Sequence, residues 1–121
     1  MSFGGMTALE AAYQLPEIKY AIALDPYFRP RWEEVLKDSN RFTLNKPYFI
    51  MNSELWHDNS CFTKDFPSWK AVCKFHKDSK KTGASWRFNT KLKNSDHINF
   101  MDLPMLFPLY FKHDGLIPKD C

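Results

Sequence analysis

Residues 19–26 read KYAIALDP and residues 47–54 read PYFIMNSE, and these two stretches decide the fold. Each is a short, mostly apolar run that is closed by polar or proline residues. Such runs are typical of strands that are buried on both faces of a parallel sheet, because an exposed strand would alternate apolar and polar residues. We therefore predict two buried strands, over residues 19–24 and 47–51.

Helical patterns alternate with these strands along the chain. Residues 4–14 place Met6, Leu9 and Tyr13 on one helical face, and the later run ASWRFNTKL alternates in the manner of a third strand, with Trp86 and Phe88 on one side. The predicted order is helix 4–14, strand 19–24, helix 32–37, strand 47–51, helix 66–77, strand 84–92 and a helix-like tail over 103–111. This alternation predicts an α/β fold with about three parallel strands and flanking helices.

The composition indicates one folded unit over residues 1–121. The hydrophobic fraction of 44% excludes a disordered chain, and the net charge of +3 is too small to indicate nucleic acid. No apolar run reaches the roughly 18 residues that a membrane span needs. No signal peptide is visible, and three widely spaced cysteines form no disulfide framework.

Three residues with catalytic chemistry follow or precede the predicted elements at one edge of the sheet. Ser2 precedes the first helix, Asp25 follows the first strand and His97 follows the third. The carboxyl ends of parallel strands meet at one edge, and the chain order Ser, Asp, His is that of the α/β-hydrolases. A serine hydroxyl becomes a nucleophile when an imidazole accepts its proton, and a carboxylate fixes that imidazole.

The first five residues resemble the second half of a nucleophile elbow, G-x-S-x-G. Ser2 would occupy the sharp turn, and Gly4 would let the helix approach the strand without a side-chain clash. The backbone N–H of Phe3, at the start of the helix, would face the oxyanion that develops during acyl transfer.

Four strings in this order resemble the platelet-activating factor acetylhydrolases of the plasma and intracellular type II kind. They are SFGGMTAL (2–9), IALDPYF (22–28), FIMNSE (49–54) and DHINF (96–100). The resemblance implies an α/β-hydrolase that cleaves the short sn-2 acyl ester of platelet-activating factor and related phospholipids. It implies Ser2 as nucleophile, Asp25 as acid and His97 as base, with no metal or organic cofactor.

The chain also departs from this family. Met1 stands where the family has the histidine before its nucleophile, Ile98 stands where the plasma form has glutamine, and the segment around 74–81 looks longer. The earlier strands and the loop with the second oxyanion donor have no counterpart. We therefore expect the carboxyl-terminal part of an α/β-hydrolase domain, with a free strand edge, an uncovered apolar face and little or no activity alone.

Other assignments stay open at this point. Glu54 follows the second strand and competes with Asp25 for the role of acid. His57 and Cys61 together with Cys73 and His76 have the residue types of a zinc site. We expect instead that His76 is hydrogen-bonded on the apolar face of its helix, and that His57 and His113 are solvated.

Basic and aromatic residues outside the predicted site indicate which partners the protein could bind. A lysine cluster is formed by Lys74, Lys77, Lys80 and Lys81. We expect it to be a solvated helix face, and the alternative is that it binds an anionic lipid surface. The aromatic residues after Asp25 and in the tail are expected in the core, with an acyl-binding or interfacial surface as the alternative; they are Tyr27, Phe28, Trp32, Phe107, Tyr110 and Phe111. A phospholipid is the expected substrate, a membrane or lipoprotein surface is the expected place of contact, and nucleic acid is not expected as a partner.

A protein without catalytic activity is the alternative to an esterase. A truncated relative without activity could bind lipid or protein through its aromatic and basic surfaces. The oligomeric state stays open, and so does the compartment, with the cytoplasm preferred to secretion.

Overall fold

The computed structural model describes residues 1–38, 41–59, 63, 65–83 and 86–101. The elements in chain order are α1 (Ser2–Gln14), β1 (Ala21–Leu24), α2 (Trp32–Lys37), β2 (Tyr48–Ser53), α3 (Glu54–Asn59), α4 (Ser68–Ser79) and β3 (Arg87–Leu92), with 3-10 turns at Lys80–Thr82 and His97–Phe100. The described part of the chain thus has the predicted α/β class. The predicted tail over 103–111, His113 and Cys61 lie outside the described residues.

The three strands form one parallel sheet in the order β1, β2, β3. Tyr48 at the start of β2 aligns with Ala21 on one side and with Arg87 on the other. Because all three strands run the same way, their carboxyl ends meet at one edge of the sheet. The chain segments that follow β1, β2 and β3 are therefore brought together there.

One face of the sheet is covered by α1, α2 and α4, and the hydrophobic core lies between them. Ala23, Tyr48 and Ile50 are fully buried on the sheet side, and Leu9 of α1 and Phe75 of α4 are fully buried opposite them. Helices α2 and α4 belong to the connections between consecutive parallel strands, and such connections are right-handed in nearly all proteins, which places their helices on the same face.

The other face carries exposed apolar side chains in the described part of the chain. Ile22 is 60% exposed, and Trp86 and Phe88 are about half exposed with ring centroids 5.1 Å apart. The prediction that β1 is a buried strand is therefore correct for one face only, and the exposed side chains on the other face agree with the uncovered apolar face that was expected. Trp86 and Phe88 do share one side, as predicted. No described helix is long and apolar enough to cross a membrane.

Several element boundaries differ from the predictions. The structure begins α1 at Ser2 rather than at residue 4, β1 at Ala21 rather than at residue 19, and β3 at Arg87 rather than at residue 84, and it ends β2 at Ser53 rather than at residue 51. Helix α4 begins at Ser68 rather than at residue 66, because Pro67 occupies the N-cap position. Helix α3 was not predicted at all, since its six residues, ELWHDN, follow the strand directly and are too few to show a helical period. Helix α3 directly follows β2 and so begins at the carboxyl edge of the sheet.

The aromatic residues after β1 belong to the core, as predicted. Phe28 is fully buried and packs edge-on against Phe75 at 5.5 Å, while Tyr27 and Trp32 pack against the core from partly buried positions. This packing fixes the chain immediately after Asp25.

The lysine cluster lies on the outer side of α4 and in the turn after it. Lys77 and Lys80 are exposed, and Lys74 and Lys81 both bind the carboxylate of Asp78. Burial acts to raise the pKa of Asp78, but the hydrogen bonds from the two ammonium groups outweigh it and lower that pKa. The cluster is therefore partly neutralised within α4.

His76 is half-buried on α4, as predicted, and its Nδ1 lies 2.9 Å from the hydroxyl of Tyr48. Burial, with smaller contributions from the charges of Lys80 and Arg87, lowers the pKa of His76 below 6.5. Burial also raises the pKa of Tyr48 to about 12, so the phenol stays protonated and can donate to the neutral imidazole.

We expect His76 to make the folded state sensitive to acid. Below pH 6.5 the unfolded chain takes up a proton at this residue before the folded chain does, so the free energy of unfolding falls as the pH is lowered. His76→Gln should therefore lose less stability than the wild type between pH 7.5 and pH 5, measured by urea denaturation. Lys77→Gln, on the exposed side of α4, is the control, and equal slopes for wild type and His76→Gln would contradict the assignment.

Candidate active site

The candidate site lies at the carboxyl edge of the sheet. Asp25 follows β1 directly, Ser53 ends β2, and His97 begins the 3-10 turn that follows β3. The backbone N–H of Asp25 donates to Met51 O at 2.8 Å and thereby extends the ladder between β1 and β2 by one residue. The backbone of Asp25 then turns through a φ of +42°, which aims its side chain across the end of the sheet.

The carboxylate of Asp25 is fully buried and well supplied with donors. It accepts hydrogen bonds from the backbone N–H of Ser53, at 2.5 Å, and from the Ser53 hydroxyl. The Nδ1 of His97 lies 3.0 Å from Oδ2 of the same carboxylate. A buried carboxylate is costly unless it is hydrogen-bonded, and these donors meet that requirement.

His97 is held by its own turn as well as by Asp25. The side chain of Asp96 accepts from the backbone N–H of His97, and the side chain of Asn99 accepts from the backbone N–H of Asp96, which together form a capping box. Donation to a carboxylate assigns the ring proton to Nδ1, so Nε2 carries the lone pair that can accept another proton.

Trp56 of α3 covers one face of the His97 ring. The two ring centroids are 3.7 Å apart and the planes differ by 13°, so the rings are stacked. Trp56 is itself buried. The imidazole is thus fixed by a hydrogen bond at its edge and by an aromatic plane on its face. Neither Trp56 nor Ser53 was identified from the sequence as a contact of the site, although Ser53 lies in the string FIMNSE.

Ser2 begins α1 with a φ of +54°, in the left-handed region that a serine adopts at a cost of about 1–2 kcal/mol. Its carbonyl accepts from the backbone N–H of Tyr27 at 3.0 Å, which ties the start of α1 to the segment after Asp25. Among the described residues, the Ser2 hydroxyl takes part in no hydrogen bond. The structure therefore joins Asp25 and His97 directly, while Ser2 is tied to them through its backbone alone.

The glycine that allows α1 to approach the sheet is Gly5, so the prediction for Gly4 is wrong. A Cβ on Gly5 would lie 3.1 Å from Leu24 O and 3.3 Å from Pro26 Cα, whereas a Cβ on Gly4 would meet nothing within 4 Å. The first N–H groups of a helix lack acceptors within it, and that of Phe3 belongs to this set. The Phe3 side chain is 62% exposed beside Ser2.

Glu54 has a different partner from Asp25. Its Oε2 accepts from the backbone N–H of Asn94 at 2.9 Å, on the exposed side of the loop that follows β3. In the structure the carboxylate bound to His97 is that of Asp25, and Glu54 holds the loop that leads toward His97.

The second histidine near the site is His57, and the prediction that it is solvated is wrong. Its side chain is fully buried, with Nε2 lying 3.0 Å from Asn52 Oδ1 and Nδ1 lying 2.7 Å from Ser68 Oγ. His76 binds Tyr48 elsewhere, so these two residues of the suggested zinc site have separate partners. Among the described residues, no group of three or more His, Cys, Asp or Glu is placed to hold a metal ion.

Ser53 should contribute measurably to stability through the Asp25 carboxylate. Ser53→Ala removes one of the donors to a buried charge, and we expect the free energy of unfolding to fall by about 1–3 kcal/mol. Urea denaturation at pH 7.5 measures this change. Ser95→Ala, whose hydroxyl donates to Leu92 O at an exposed position, is the matched control, with an expected change of about 0.5 kcal/mol or less. Equal losses in the two variants would refute the role given to Ser53.

Comparison with known proteins gives one match. Residues 1–114 match the model of a family described as platelet-activating factor acetylhydrolase, isoform II. No curated protein and no solved structure matches the chain.

Proposed function

The chain belongs to the platelet-activating factor acetylhydrolase family, and we propose that it is a serine esterase whose nucleophile, base and acid are Ser2, His97 and Asp25. The observation that carries this proposal is the buried hydrogen bond of 3.0 Å between His97 Nδ1 and Asp25 Oδ2, at the edge where α1 begins. The family name itself implies a hydrolase that acts on esters.

The roles follow from the tautomer of His97. With its proton on Nδ1, His97 offers Nε2 as the base that takes the proton of the Ser2 hydroxyl as Oγ attacks the acyl carbonyl. The positive charge that develops on the ring is stabilised by the ionised Asp25 carboxylate. His97 then returns the proton to the leaving alcohol oxygen, and water releases the acyl group from Ser2 in a second cycle of the same kind.

The oxyanion of the tetrahedral intermediate requires hydrogen-bond donors. At the start of α1 the Phe3 N–H is one such donor, supported by the positive end of the helix dipole. Loss of one donor from an oxyanion hole costs about 100- to 1000-fold in rate, so we expect slow turnover where Phe3 acts alone.

The proposed substrate is the sn-2 acetyl ester of platelet-activating factor or a related phospholipid. The support for it is the family membership, together with the exposed Phe3 side chain beside Ser2, which offers apolar surface to a lipid. The leaving group would then be a lysophospholipid, protonated by His97.

A fluorophosphonate probe tests the nucleophile. Attack by Ser2 Oγ on phosphorus expels fluoride, forms a stable adduct and passes the serine proton to His97, so we expect labelling of the purified chain at Ser2, located by mass spectrometry, and none in Ser2→Ala. An unlabelled wild type with intact circular dichroism would favour the rival interpretation, a binding module without activity.

The same reaction distinguishes the two candidate acids. Asp25→Asn should slow labelling by about 1000-fold or more, because the imidazole loses its orienting carboxylate. Glu54→Gln is the matched control and should stay within about threefold of the wild type, since the Glu54 carboxylate binds the backbone N–H of Asn94 and not His97. The opposite ranking would assign the acid to Glu54.

The acyl preference tests the substrate class. With 1-alkyl-2-acetyl- and 1-alkyl-2-palmitoyl-glycerophosphocholine in matched mixed micelles, we expect release of acetate to be faster than release of palmitate by at least about tenfold, because the family acts on the acetyl ester. Ser2→Ala supplies the background rate. Faster release of palmitate would exclude the proposed substrate class and leave the esterase chemistry in place.

A further inference from the structure

A chain of buried polar side chains lies behind Asp25, and the proposed mechanism does not use it. The amide nitrogen of Asn52 lies 2.7 Å from both Asn89 Oδ1 and Thr90 O on the neighbouring strand, and it donates to both. Because these two acceptors take both amide protons, Asn52 Oδ1 is left to accept the bond from His57 Nε2 at 3.0 Å.

This pattern assigns the tautomer of His57. Its Nε2 carries a proton that is donated to Asn52 Oδ1, and its Nδ1 accepts from the Ser68 hydroxyl at 2.7 Å. The tautomer is opposite to that of His97, which carries its proton on Nδ1. The same Nε2 of His57 lies 3.8 Å from Asp25 Oδ1, with both side chains fully buried.

We propose that His57 is a positioning residue for the Asp25–His97 pair. It bonds helix α3 to β2 through Asn52 and to α4 through Ser68, while its Nε2–H dipole lies beside the carboxylate of Asp25. The inference rests on the proposed function, in which Asp25 and His97 act as acid and base.

The length of α3 explains why such an anchor is needed. A helix of six residues is not stable by itself and depends on its tertiary contacts. Trp56, which stacks on His97, is the neighbour of His57 on this helix, and Ser53, which donates twice to Asp25, immediately precedes the helix. Loss of the His57 anchor would therefore loosen the contacts of both members of the pair.

The test is the exchange with water of the Nδ1 proton of His97. Selective ¹⁵N labelling of histidine reports the tautomer of each ring, and saturation transfer from water gives the exchange rate of this proton. In the wild-type chain we expect a protected Nδ1–H on His97 and an Nε2–H on His57. In His57→Leu, which leaves Asn52 Oδ1 and Ser68 Oγ without their partner, exchange at His97 should be roughly tenfold faster.

Rescue by a conservative variant separates positioning from bulk packing. In His57→Gln the amide nitrogen can donate to Asn52 and the amide oxygen can accept from Ser68, so exchange should stay within about threefold of the wild type. His76→Leu is the matched control, because it removes a histidine that is hydrogen-bonded to Tyr48 at the start of β2, and it should leave the exchange rate at His97 unchanged. Should His57→Leu fail to fold, Ser68→Ala is measured in its place, with an expected acceleration of about threefold or more.

The proposal is overturned if a folded His57→Leu leaves the exchange rate at His97 unchanged, if His57→Gln accelerates it as much as His57→Leu does, or if His76→Leu accelerates it equally. Fluorophosphonate labelling separates this result from the proposed function. An unlabelled Ser2 combined with the expected exchange pattern would count against the esterase while supporting the role of His57 in holding the pair.

Discussion

The burial of one carboxylate governs the arrangement at the edge of the sheet. Asp25 is inaccessible to solvent, and an ionised group in such a place is tolerated only when its oxygens are hydrogen-bonded. The donors come from Ser53 at the end of β2 and from His97 after β3. The side chain that directly follows β1 thereby joins the three carboxyl ends of the sheet, and Ser53 and His97 supply the donors that it needs.

Helix α3 adds the second layer of this arrangement. It follows β2 without a loop, so the residues from Ser53 to His57 pass directly around the Asp25–His97 pair. Ser53 supplies two donors to the acid, Trp56 covers the face of the base, and His57 fixes the helix to its neighbours. This short segment therefore holds both Asp25 and His97, although it is only a few residues long.

Much of the fold follows from local patterns. The apolar runs around Ala23 and Ile50 form strands of a parallel sheet, as predicted. The positions of Asp25 and His97 after strands placed both at one edge of that sheet, and the resemblance to the family implied that they pair. The apolar run of β1 does not reveal which of its faces is covered, and in the structure Ala21 and Ala23 are buried while Ile22 lies on the exposed face. The family membership covers residues 1–114 and agrees with the resemblance seen in the sequence.

The errors within the site have physical causes. His57 lies among polar residues, which predicts a solvated side chain, but its partners Asn52 and Ser68 are brought to it by β2 and α4. The sequence does not show which of the adjacent glycines Gly4 and Gly5 is needed for close packing. The structure shows that it is Gly5, because a side chain there would collide with Leu24 O and Pro26. Both errors concern contacts that are set by the tertiary structure, and the residues next to His57 and Gly5 in the sequence do not indicate them.

The left-handed backbone of Asp25, with its φ of +42°, has a consequence for which acids can occupy this position during divergence. Aspartate and asparagine tolerate that region better than other residues with a side chain, since their short polar groups bond locally. A glutamate at this position would carry the same charge, but it adopts a positive φ less readily than aspartate does. Its side chain is also longer by one methylene, which the buried site around Asp25 has no room for. The substitution of glutamate for aspartate, which is conservative at most surface sites, is therefore disfavoured at position 25 by the backbone conformation and by the space available.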